Sequence, residues 1–485
     1  MIGLYILLGL LVIVLLFIVY LFINMQIVTS KARKLGTYKY WKTEQEQIEY
    51  ATRLAKMIRC KTISVPNSYD DTEFEKLSDT VAELFPLVHK SMTKMTFSDD
   101  CWVYKLEGKD TSRNVMLMSH HDVVKADGNW EHEPFAGEIV DGVLWGRGTV
   151  DTKTPLFAEF SAIEELLEQG FVPETNLYIG SSHNEELGGD GIPKAIKYFK
   201  EQGINFELVL DEGGAVISPP IGGMKCRCAM LAVHEKGRHT LVCRAEQGNT
   251  HTGLNQNVDT PVVRMSKFIA EVENSDKLFI RKMYPETQAM FEALCPYMPL
   301  PLKFVFSNLP VFKNLLVKLI PSINASAGAM LGTTCAFNGI QGGKFNDEQH
   351  NWCESTAFLR CVNDDDQAIE IERIKKIAQK YDIQIENAKS GNEYYPPADM
   401  SKAPFDYVKN IVGNVFPAVA VAPFILPAGT DARHMTDICD CVIRFAPIDI
   451  DDQQYASVHS ENENISLKAI GNAVEFYTQI IKNYK

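Results

Sequence analysis

The most uniform pattern in the chain comes first: Ile2 to Ile23 is uncharged and almost wholly apolar. As a helix rising 1.5 Å per residue, such a run crosses a hydrocarbon core of about 30 Å. It predicts a transmembrane helix over 2–24 and a basic juxtamembrane segment over 25–43. Beyond that the pattern is that of a folded protein. Apolar positions at helical spacing predict helices over 44–59, 75–90, 155–169 and 192–202. Short apolar runs at 101–106, 115–119, 176–182 and 206–210 predict strands between them. This alternation predicts an α/β layer with a mostly parallel central sheet. Around Val233–Gly237 the character changes. Strand-like 238–245, helical 259–273, strand-like 355–362, helical 366–381 and strand-like 383–387 follow, and the first pattern returns from about 389.

Composition narrows the partners. A formal net charge of −14 leaves no broad basic face for nucleic acid. The eleven cysteines are scattered, without a Cys-x-x-Cys, and read as buried thiols of a reducing compartment. Lys31, Arg33, Lys34, Lys39 and Lys42 all precede the first acidic residue. By the positive-inside rule they place the C-terminal side of the span in the cytoplasm. The competing reading, a cleaved signal peptide, lacks a basic n-region and a small-x-small cleavage site.

The chemistry concentrates where apolar strands end. Leu177–Gly180 leads to Glu185 and Glu186, adjacent carboxylates whose repulsion a divalent cation would offset. One of such a pair can bind metal while the other serves as general base. Val115–Met118 leads to His120 and Asp122, which project from the same side of an extended chain. Gly146-Arg147-Gly148 leads to Asp151 ahead of a helix, where it could equally be an N-cap. Leu208–Leu210 leads to Asp211-Glu212-Gly213-Gly214, and His459 precedes the last helical pattern. The candidate ligands are therefore His120, Asp151, Glu186, Asp211 and His459. Nitrogen and oxygen donors without thiolate suit Zn2+, and less tightly Co2+ or Mn2+. Five ligands exceed one tetrahedral ion, but two ions about 3.5–4 Å apart sharing a carboxylate accommodate them.

In this order the motifs resemble the M20 metallopeptidases, from roughly residue 45 to the end. The resemblance is strongest to the branch of carboxypeptidase S and the N-acyl-amino-acid hydrolases/synthases. Asp122-Val123-Val124, Trp130 with Pro134-Phe135, and Gly429-Thr430-Asp431-x-Arg433-His434 carry that part of it. It implies an α/β fold: a zinc-peptidase-like catalytic domain in two parts, 44–236 and 389–485, with an inserted α+β sandwich lid over 237–388. It implies two Zn2+ ions, with Asp151 bridging, His120 and Asp211 on different ions, Glu186 joining one and His459 the other. Asp122 would support His120, Glu185 would be the general base, and His251 on the lid would stabilise the oxyanion. Substrate carboxylate recognition would fall to Arg433 and Asn338, with Gly429 and Thr430 beside them.

The sequence departs from the family pattern at three places: Asn184 before the glutamate pair, Thr250 and Thr252 flanking His251, and Gly332 before Thr333-Thr334. The implied activity is carboxypeptidase- or dipeptidase-type hydrolysis of small peptides. The alternatives are an N-acyl-amino-acid hydrolase/synthase or deacylase, and a non-catalytic anchored binding protein on the same fold. In many members the lid carries the dimer contact, so a second copy is an implied partner. Phe304 to Ile323, rich in Phe, Leu, Val and Ile, falls inside the expected lid. It reads as a helix packed on the lid or a dimer face, or else as a greasy surface near membrane or acyl chain.

Overall fold

The computed structural model describes residues 2–66, 68–246, 259–275, 277–342, 352–387 and 394–485. A helix, Ile2–Ser30, carries the apolar run, and its residues 2–20 are exposed all round. The globular part is built on a large mixed sheet. Its strands stand in the order Thr93–Phe97, Cys101–Leu106, Thr175–Ser181, Asp110–Met118, Leu208–Asp211, Val442–Arg444, Cys228–Glu235 and Ala420–Leu426, with Val216–Ile217 against Cys228–Glu235. The middle is parallel: Asp110–Met118 pairs in parallel with both Thr175–Ser181 and Leu208–Asp211, and the latter with Val442–Arg444. Antiparallel pairings flank it, Cys101–Leu106 on Thr175–Ser181 at one side and Val442–Arg444 on Cys228–Glu235 at the other.

Side-chain alternation shows why these runs were legible. Val115 and Leu117 enter one core while Met116 and Met118 enter the core on the opposite face. Leu177 and Ile179 part from Tyr178 in the same way, and Leu208 and Leu210 from Val209. Both faces are covered, as continuous apolar strands require. Helices Glu44–Ile58, Lys153–Glu168, Ala403–Val415 and Leu467–Asn483 close one face, and Gly191–Glu201 the other. Thr43 and Glu46 cap the first of these reciprocally, which fixes its start. The helix expected over 75–90 is two helices, Asp71–Leu84 and Pro86–Ser91. Pro86 disfavours helical geometry at Phe85, which sits at φ −132°.

A second, antiparallel sheet runs Thr334–Gly342, Trp352–Cys361, Gly237–Glu246, Ile383–Asn387. Helices Pro261–Glu273 and Asp364–Lys380 cover one face of it. Between its strands the chain makes an excursion. Helices Pro285–Leu294, Leu300–Phe306 and Leu309–Ile323 pack not on this sheet but on the large one. Met290, Phe291, Leu294 and Phe306 share a core with Met230, Ala420, Ala422 and Ile425. This corrects the placement of Phe304–Ile323 within the lid. The end strands of the large sheet present an apolar face to these helices, and burying it is worth about 25 cal/mol per Å².

One buried ion pair ties the sheet to the loop after Ala420–Leu426. Arg444 Nε donates to Glu235 at 2.5 Å, and Thr430 donates to the same carboxylate through its backbone N (2.8 Å) and hydroxyl (2.7 Å). Arg444→Met strands Glu235 in the interior and is expected to cost about 3–5 kcal/mol, read by chemical denaturation in detergent. Adding Glu235→Gln to it is expected to recover part of that loss.

Candidate metal centre

The three parallel strands Asp110–Met118, Thr175–Ser181 and Leu208–Asp211 end at the same side, so the residues that follow them meet. His120 is buried. Its Nε2 lies 3.0 Å from Asp151 Oδ1 and 3.9 Å from Glu212 Oε1. His459 Nε2 lies 3.0 Å from Asp151 Oδ2 and 3.0 Å from Glu186 Oε2. Asp151 thus stands between the two histidines with one oxygen toward each. Two sets of donors come within metal-binding reach of one another: His120, Asp151 and Glu186, and His120, Glu185 and Glu212. The histidine next in sequence goes elsewhere. Strand alternation turns His121 into the core, stacked on Trp102 at 4.0 Å with Nδ1 2.8 Å from the Ser181 hydroxyl.

Of the expected ligands, Asp211 has both carboxylate oxygens engaged by backbone amides. Its Oδ1 accepts from the Glu212 backbone N at 2.9 Å and its Oδ2 from the Ala432 backbone N at 2.9 Å. Val209, two residues earlier on the same side, packs in one core with Ala432. The pleat therefore turns Asp211 toward that layer and leaves Glu212 facing His120.

Three carboxylates hold the donors in place. Asp122 lies 3.2 Å from His120 Nδ1 through Oδ1, and its two oxygens accept from the backbone N of Glu185 and of Glu186, each at 3.2 Å. Its carbonyl stands 2.9 Å from the same Nδ1, and Ser64 bonds its other oxygen. Glu463 accepts from the backbone N of Gly148 (3.0 Å), Val150 (2.7 Å) and Asp151 (3.0 Å), and from Arg147 Nη1 (2.6 Å). It fixes the loop that presents Asp151. Glu235 holds Thr430, as above. Glu463 and Glu235 have no ligand-like spacing in the sequence. What points to them is their burial, 0 % and 3 % exposed, beside Arg147 and Arg444. Thr430, expected beside the substrate carboxylate, has both its donors engaged by Glu235.

The electrostatics are those of crowded anions. Burial, then the Asp431, Asp122 and Glu186 carboxylates, push Glu185 well above the ordinary carboxylate range against the opposing pull of His120. Burial and then Asp151 do the same to Glu212. His459 is raised to about 10 by its bonds to Asp151 and Glu186. One oxygen of Glu186 is buried with no hydrogen-bond partner. An orphaned buried acceptor among carboxylates, with nitrogen and oxygen donors only, fits a hard or borderline divalent cation. His459 reaches the cluster from a left-handed backbone position, φ +57°, which a non-glycine residue adopts at some cost.

Arg433 Nη1 lies 4.0 Å from Glu185 Oε1. A methyl group placed on Gly429 would meet Arg433 Nη1 at 3.3 Å and Arg360 Nη1 at 3.8 Å. Gly429 thus lets two guanidiniums converge, one from the small sheet. Burial and then the like charges of Arg238 and Arg433 depress Arg360, against the opposing pull of Glu235 and Glu185. Arg360 was not anticipated from sequence. Asn338 stands exposed on Thr334–Gly342, at an irregularity in its pairing, and among the described residues it makes no hydrogen bond. His251, with Thr250 and Thr252, lies outside the described residues.

Comparison with known proteins agrees with this geometry. The pattern of peptidase family M20/M25/M40 matches residues 116–483. The chain belongs to that family. It is 30% identical over 91% of its length to a Dictyostelium discoideum protein named "Probable carboxypeptidase S-like 2", covering 86% of that protein. It is 28% identical, over 91% of its length and 86% of the other, to N-fatty-acyl-amino acid synthase/hydrolase PM20D1 of Xenopus tropicalis. Among solved structures, an M20 family metallo-carboxypeptidase from Sulfolobus solfataricus superposes with a TM-score of 0.65. It is 17% identical and covers 90% of this chain and 98% of its own. As an M20 peptidase the chain is a hydrolase of a metallopeptidase family with the mixed-sheet α/β fold just described.

Two substitutions separate the ligand assignments. Glu212→Gln is expected to remove one bound equivalent of metal, measured by mass spectrometry of the purified protein. Asp211→Asn is expected to keep both equivalents and to lower stability instead. The reverse pattern would return Asp211 to the ligand set.

Proposed function

We propose that this M20 peptidase holds two divalent ions, zinc by its donor chemistry, and cleaves the amide bond of small peptides bearing a free carboxylate. His120, Asp151, Glu186, Glu212 and His459 would hold the ions, with Asp151 between them. When bound, the ions supply charge for the developing oxyanion and lower the pKa of water. The observation that carries the reading is the placement of Glu185. It is engaged at its backbone by Asp122, sits in the same donor set as His120 and Glu212, and lies 4.0 Å from Arg433. There Glu185 would take a proton from the attacking water and return it to the leaving nitrogen. Arg433 and Arg360 would hold the substrate carboxylate, since a guanidinium matches a carboxylate in two parallel bonds. His251 would donate to the oxyanion, as the resemblance implies.

A second substrate class, N-acyl amino acids, presents the same carboxylate beside the same amide, and the similarity to the Xenopus enzyme favours keeping it. The free thiols, all eleven of them, and the basic residues after Ile2–Ser30 support an uncleaved membrane anchor with the catalytic part in the cytoplasm. The exposed strand Thr334–Gly342 at the edge of the small sheet supports a dimer through the lid.

Glu185→Gln is expected to abolish turnover in a panel of dipeptides and long-chain N-acyl amino acids while bound zinc stays near the native level. Loss of the metal with that substitution would assign Glu185 to the ligands instead. Arg360→Ala is expected to raise KM for substrates with a free carboxylate far more than for their amides. An equal effect on both would remove Arg360 from substrate recognition.

A further inference from the structure

The base of Ile2–Ser30 is not free. Leu21 and Met25 are its buried residues, and the helix packs on Cys295–Tyr297 and Leu300–Phe306. Asn24 Nδ2 donates to the Ser307 carbonyl (2.8 Å) and to Asn308 Oδ1 (2.9 Å), while Asn308 Nδ2 donates to the Leu21 carbonyl at 3.2 Å. These bonds fall at the corner where Leu300–Phe306 and Leu309–Ile323 meet at 109°. The exposed stretch before them, residues 2–20, is about 28 Å long at 1.5 Å per residue. That is close to the thickness of a bilayer's hydrocarbon core, so the corner lies at the level where lipid gives way to water.

Leu309–Ile323 then shows two apolar faces. Leu309, Leu316 and Ile320 are buried in the core that also holds Met290, Phe291 and Phe306. Val311, Leu315, Leu319 and Ile323 are 47 %, 54 %, 46 % and 80 % exposed. Spaced four apart, they advance only about 40° per step and form one stripe. Aromatic contacts connect this stripe to the span. Phe22 packs on Phe304 with ring centroids 4.8 Å apart, and Phe304 lies 6.1 Å from Phe312, beside Leu315 and Leu319 on the wheel. Lys318 is exposed at one edge of the stripe. Its ammonium group reaches toward lipid phosphates while its stem lies along apolar surface. A stripe of this kind in water is costly, and its continuity with a membrane span names its occupant.

We infer that Leu309–Ile323 lies in the interfacial layer of the same bilayer that Ile2–Ser30 crosses, with Val311, Leu315, Leu319 and Ile323 in the acyl region. The protein is thereby held to the membrane at two points, and the catalytic part has a fixed orientation over the lipid. This rests on the reading of Ile2–Ser30 as a span, and the test separates the two. Full-length Leu319→Trp and Leu11→Trp variants are reconstituted in phosphatidylcholine vesicles carrying bromine at shallow or deep acyl carbons. Quenching is read as the difference from the native tryptophans. Trp at 319 is expected to lose most of its emission to shallow bromine, and Trp at 11 to deep bromine. Quenching at 11 without quenching at 319 overturns the interfacial helix and leaves the span. Quenching at 319 alone upholds the interfacial helix and overturns the span. Quenching at neither overturns both.

Discussion

The structure depends on forcing acidic side chains together. Asp151, Glu185, Glu186 and Glu212 converge with two histidines at one end of the sheet. Two carboxylates 4 Å apart repel by about 4 kcal/mol at an effective dielectric constant of 20. The fold bears this because the parallel strands that deliver the groups are buried on both faces and cannot splay. The stress is local and has one chemical remedy, a cation. Affinity for metal is in this sense a property of the sheet as much as of the ligands.

Crowding alone would let the side chains rotate apart, so their backbones must be held. Asp122 grips the turn that carries Glu185 and Glu186, and it also orients His120. Glu463 grips the loop of Asp151 and lies four residues after His459, so one short segment sets both. Each of these anchors is an acid spent on backbone N–H groups. Backbone amides stabilise the charge without competing for the metal, which a lysine placed so close could not do.

How much of this was legible in the sequence follows from what a period can carry. The strands ending at Met118, Ser181 and Asp211 were visible because runs buried on both faces stay apolar throughout. After the third strand the sequence reading takes Asp211 as the ligand, but Asp211 and Glu212 are both acidic and the pleat assigns them to opposite sides. The period says that they differ; the position of Ala432, more than two hundred residues on, goes with Glu212 as the one facing His120. Arg360 was invisible for a similar reason. Its strand, Trp352–Cys361, alternates buried and half-buried positions, and nothing local distinguishes an arginine facing solvent from one facing a site on another sheet.

The excursion over Pro285–Ile323 shows the opposite failure, a pattern that is legible but ambiguous. An apolar helix with few charges reads as core, and half of Leu309–Ile323 is core. The other half is apolar and uncovered, and a sequence has no way to mark that difference. What separates the two faces is the company they keep. One enters the core shared with Met290, Phe291 and Phe306, the other adjoins Phe312, Phe304 and Phe22. Helix Pro285–Leu294 packs on Ala420–Leu426, which pairs in parallel with Cys228–Glu235, so the excursion and the Arg433 loop are joined through two strands: Glu235, the last residue of the second, holds Thr430, whose carbonyl accepts from Arg433.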